Sequence, residues 1–125
     1  MKHILFAASF AMAAAAPQAA ALSQKDVRAC KAMAARVTEG QGEIADLRAR
    51  RDSLAESAET AGANWEEAEV HRNISARHRA AADQAKAQWE AAQAELAEAE
   101  TALKARIAEV NKTSARFNER CAANE

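Results

Sequence analysis

Residues 89–117 read WEAAQAELAEAETALKARIAEVNKTSARF, and within them Trp89, Leu96, Leu103, Val110 and Phe117 recur at a constant spacing of seven. A seven-residue apolar repeat held over four intervals lines one stripe of a helix, and that stripe requires a second helix to cover it. The cover has to come from the residues before it.

Upstream, Ser23 followed by Asp26 forms a capping-box-like helix start. Val27, Cys30, Ala34, Val37, Gln41 and Ile44 then follow at alternating spacings of three and four, with Gln41 interrupting the apolar character. Beyond Gly40 and Gly42 the stripe resumes as Leu47, Leu54, Ala61 and Ala68, out of step by one three-residue insertion. A slip of this kind overwinds a coiled coil locally. Two places interrupt the helical chemistry. At residues 61–64 Gly62 can end a helix and Asn64 can cap the next, so a break or kink is expected there. The second is Asn73-Ile74-Ser75, which also spells a glycosylation sequon.

The two cysteines arbitrate between these turns. In an antiparallel hairpin, level residues have numbers that sum to a constant, and a Cys30–Cys121 bridge sets that sum at 151 and the turn near residues 73–76. The same sum brings Ala34 near Phe117, Ile44 beside Ile107, Arg51 opposite Glu100 and Trp65 within a turn of Trp89. The competing arrangement turns at Gly62. Its long second helix overhangs, pairs with another copy and uses intermolecular disulfides. The expected fold is therefore all-α, an elongated antiparallel two-helix coiled-coil hairpin over residues 22–125, stapled at its base by a disulfide.

The staple fits the compartment. Met1-Lys2-His3 opens the chain, Ile4 to Ala16 is an uncharged and almost wholly apolar run, and Ala19-Ala20-Ala21 offers an A-x-A cleavage pattern. Residues 1–21 thus read as a cleaved signal peptide, and the product as periplasmic or secreted. No stretch reaches the roughly 20 apolar residues of a membrane span. Lys25, Asp26 and Arg28 precede Cys30 where a lipoprotein signal continues small and apolar, which argues against a lipid anchor there.

Removing 21 residues from 125 leaves 104, in which 16 basic residues face 18 acidic ones. That balance points to neither nucleic acid nor an anionic membrane as a general partner. Half the chain is hydrophobic by count, but much of this is alanine, which favours helices and buries little area. The core is therefore thin, and a covalent staple or a partner is expected to support it.

The residues carry no reaction. There is no C-x-x-C, H-E-x-x-H, glycine-rich phosphate loop or G-x-S-x-G, and the acids from Glu90 to Lys104 alternate with alanine as on a solvated helix face. No catalytic residue, resident metal or cofactor is expected, and the chain is read as a non-enzymatic protein. Recognition is expected at the tip, where His71, Arg72, Arg77, His78 and Arg79 gather without an acid from Val70 to Ala82. The shaft is mainly acidic and the base basic again, through residues such as Lys25, Arg28, Lys112 and Arg116. These blocks suit a protein or anionic envelope component at the tip, or the shaft of a second copy in a homodimer. The function expected is a spacer, adaptor or chaperone-like clamp of the bacterial envelope. The alternative is a periplasmic metal- or stress-sensing hairpin in which His71 and His78 meet across the turn.

Overall fold

The computed structural model describes residues 21–122. The signal peptide expected at residues 1–21 lies, apart from Ala21, outside them. Two helices make up the fold, α1 over Gln24–Val70 and α2 over Ala76–Arg120, packed antiparallel and joined through residues 71–75. Ser23 caps α1 as its chemistry requires: the hydroxyl accepts from the backbone N–H of Asp26 at 3.2 Å and donates to the Asp26 carboxylate. At about 1.5 Å per residue, the 47 residues of α1 span about 70 Å.

The disulfide is intramolecular. Cys30 and Cys121 are joined with their Cα atoms 5.8 Å apart, and the pairing constant of 151 that they set holds approximately along the rod. Trp65 stacks on Trp89 with ring centroids 4.7 Å apart and planes 16° from parallel. Arg106 pairs with Glu43, and Arg72 reaches Asp83. Numbers of facing residues in these pairs sum to between 149 and 155, so the register is kept from base to tip.

The seam differs from the expected one in α1. Met33, Val37, Gly40, Ile44, Leu47, Arg51, Leu54, Ala58, Ala61, Trp65 and Ala68 are covered at an unbroken alternation of three and four, with Cys30, Ala34, Ala55 and Gly62 half-buried beside them. There is no three-residue slip. Gly40 is buried where Gln41 was expected, and Gln41 is exposed. The physical reason lies opposite: a Cβ at residue 40 would overlap Cγ2 of Val110, so a residue without a side chain lets α2 come close at this level.

Nor does α1 break at residues 61–64, through which the helix is continuous. Gly62 remains helical because the Trp89 indole lies over it, its Nε1 3.2 Å and Cδ1 3.3 Å from where a Cβ would stand. Tertiary cover here outweighs a propensity loss of about 1 kcal/mol. Arg51 also departs from expectation. Its ion pair is with Asp52 on its own helix, Nε to Oδ1 2.8 Å, rather than with Glu100.

The core is as thin as the composition implies. Ile44, Leu103 and Val110 form its buried cluster, flanked by the half-buried Val37, Leu47 and Ile107, and among the described residues no large side chain is fully enclosed. Between Trp89 and the tip the seam narrows to alanine, with Ala82 completely buried. Among the described residues no helix is long and apolar enough to cross a membrane.

Candidate interaction site at the hairpin tip

The tip is built without glycine, and no residue in it has positive φ. α1 stops at Val70. His71 follows as its cap, and 3₁₀-like bonds continue the chain from Arg72 N–H to the Glu69 carbonyl at 3.1 Å and from Ile74 N–H to the His71 carbonyl at 3.1 Å. Ser75 then extends the backbone, at φ −159° and ψ 168°, and caps α2 by accepting from the His78 N–H at 3.3 Å. The turn expected near 73–76 thus occupies 71–75, with Ser75 as the capping residue.

The five tip residues divide into two groups. Arg72 is tied into the fold: Nη1 donates to Oε2 of Glu69 at 3.1 Å and Nη2 to Oδ1 of Asp83 at 2.7 Å. Those two bonds, Glu69 first and Asp83 next, raise the guanidinium above its ordinary pKa. By bridging α1 and α2 it clasps the turn. The side chains of Arg77 and Arg79, by contrast, are exposed and have no ion-pair or hydrogen-bond partner among the described residues. His78 shares a 2.8 Å hydrogen bond between Nδ1 and the Ser75 hydroxyl, and its ring lies 6.4 Å from that of His71. The two imidazoles approach across the turn as expected. Among the described residues, however, no group of three His, Cys, Asp or Glu side chains converges as a metal cage.

Two tip residues escaped the sequence reading. Ile74 is 65% exposed and Val70 79% exposed, the most exposed large apolar side chains described. The signal for Ile74 was present in the capping pattern. A residue just before an N-cap normally packs on the fourth residue of the helix it precedes, and that residue here is Arg79. With no apolar partner at Arg79, Ile74 is left uncovered.

The tip is also unfavourable to its own helix. No acid stands in the first turn of α2, and the cations Arg77 and Arg79 lie near the positive end of its dipole. Exposed apolar side chains and cations thus lie together at one end of a well-capped hairpin. Nearer the base, an open depression of about 420 Å³ contains Arg36, Arg106, Lys112 and Arg116, but its Arg106 is engaged by Glu43 and Glu109. The chain matches no protein-family model, no curated protein and no solved structure.

Proposed function

We propose that this chain is an exported, non-enzymatic coiled-coil protein of the bacterial envelope, working as a spacer or adaptor that holds a recognition tip away from its base. One observation carries the reading: Arg77 and Arg79 stand exposed and unpaired on a turn that Arg72 fixes from within. A staple at one end and a clasp at the other make a rod about 70 Å long, whose tip stands far from its base. The disulfide is compatible with export through the leader at residues 1–21. Binding of an anionic envelope component or an acidic protein at the tip then follows from charge.

The test is photo-crosslinking in the exporting host, with a photoreactive residue placed at position 77, at position 79 or at mid-shaft position 94. Discrete adducts from the tip positions and none from the shaft are expected. Adducts from the shaft alone would move recognition there and overturn the reading.

A further inference from the structure

We propose that the tip docks on an anionic phospholipid bilayer surface, with Ile74 and Val70 entering the headgroup region while Arg77 and Arg79 hold lipid phosphates. This rests on the reading of the tip as the recognition surface and names its occupant.

Three features of the tip favour a bilayer over a protein. First, the exposed apolar side chains and the unpaired cations occupy one end of the rod: Val70 closes α1, Ile74 precedes the cap of α2, and Arg77 and Arg79 lie in the turn after it. Apolar residues beside arginines are the composition that binds at a membrane interface, where the apolar groups reach about 5–10 Å below the headgroups. Second, the end face is small. Two helices of about 10–12 Å diameter present a cross-section on the order of 200 Å², against about 800 Å² for each partner in a stable protein interface. A fluid anionic surface does not require that area, because several cations add to the contact without a matched partner shape. Third, charge complementarity is local. No acid lies between Val70 and Ala82, and the nearest ones, Glu69 and Asp83, are both occupied by Arg72. The net acidic charge of the mature chain argues against binding along the shaft and orients the rod end-on.

Co-sedimentation of the mature, oxidised protein with vesicles tests this, using phosphatidylcholine alone and an equal mixture with phosphatidylglycerol. Binding is expected only to the mixed vesicles. Changing Arg77→Gln and Arg79→Gln together should lower the partition coefficient on the order of tenfold or more. Ile74→Asn should lower it several-fold with helicity unchanged, since Ile74 makes no core contact. The charge-matched control, Lys86→Gln with Lys104→Gln on the shaft, should have little effect. Equal loss in that control, or full binding by Ile74→Asn, would overturn the proposal by reducing it to general electrostatics. Absence of vesicle binding while tip crosslinks to an envelope protein persist would overturn the lipid assignment and leave the tip reading standing. Absence of both would end both.

Discussion

Gly40 of α1 and Val110 of α2 meet so closely that no side chain fits at residue 40. Two residues further on, Gly42 faces open space, with nothing within 4 Å of where its Cβ would be. The two glycines have the same intrinsic helix cost and opposite surroundings.

Alanine substitutions should therefore differ in effect. Gly42→Ala is expected to stabilise by about 1 kcal/mol, since it adds helix propensity without a clash. Gly40→Ala gains the same propensity but overfills the seam, at a cost of about 1–3 kcal/mol. Its net effect should be neutral to destabilising by roughly 2 kcal/mol. Thermal melts of the two variants under oxidising conditions check this; stabilisation of equal size at both positions would contradict the close approach.

The stacked Trp65 and Trp89 rings give a second measurement. Trp65 is half-buried, and its Nε1 is enclosed with no hydrogen-bond partner among the described residues. Trp65→Phe removes that unpaired donor and keeps an aromatic face, so a change within about 1 kcal/mol is expected. Trp65→Ala opens a cavity beside Trp89 and should cost about 2–3 kcal/mol. Near-ultraviolet circular dichroism should lose its coupled indole signal in both variants, separating ring stacking from stability.

Loss of the staple should be the larger perturbation. The Cys30–Cys121 bridge closes a sequence separation of 91 residues, and chain entropy assigns such a loop on the order of 4–5 kcal/mol. Replacing both cysteines with serine should lower the melting temperature strongly and raise amide exchange first in residues near the base. Non-reducing mass analysis of the purified protein should show the oxidised monomer; a disulfide-linked dimer as the main species would contradict the hairpin.

Arg72 should behave differently from its neighbours Arg77 and Arg79. Arg72→Gln removes both inter-residue contacts that clasp the turn, so faster amide exchange over residues 71–75 is expected. Changes at Arg77 and Arg79 should leave that exchange unaltered. Hydrogen-exchange mass spectrometry distinguishes the two effects, and protection lost equally in all three variants would contradict the division of the tip.

Sequence by itself determined the class of fold. The spacing of Trp89 to Phe117 required a covering helix, the absence of proline after Pro17 allowed two long ones, and Cys30 with Cys121 set the register that puts Trp65 on Trp89. These are one-dimensional quantities, a period and a sum, and a hairpin preserves them. The Ser75 cap, Ile74 before it and Arg79 after it also contained the exposed apolar tip in readable form.

What tertiary structure decided were the positions where a seam residue has no side chain or the wrong polarity. Gly40 carries no hydropathy signal, so the apolar pattern runs through Gln41 with a slip; only the approach of Val110 puts Gly40 in the seam. Gly62 looks like a helix end until Trp89 lies over it, and Arg51 looks paired with Glu100 until Asp52 takes it. In each case the deciding partner is chosen by distance, across the rod for the glycines and to the adjacent residue for Arg51, and for the glycines the intrinsic preference of about 1 kcal/mol per residue is too small to prevail against packing.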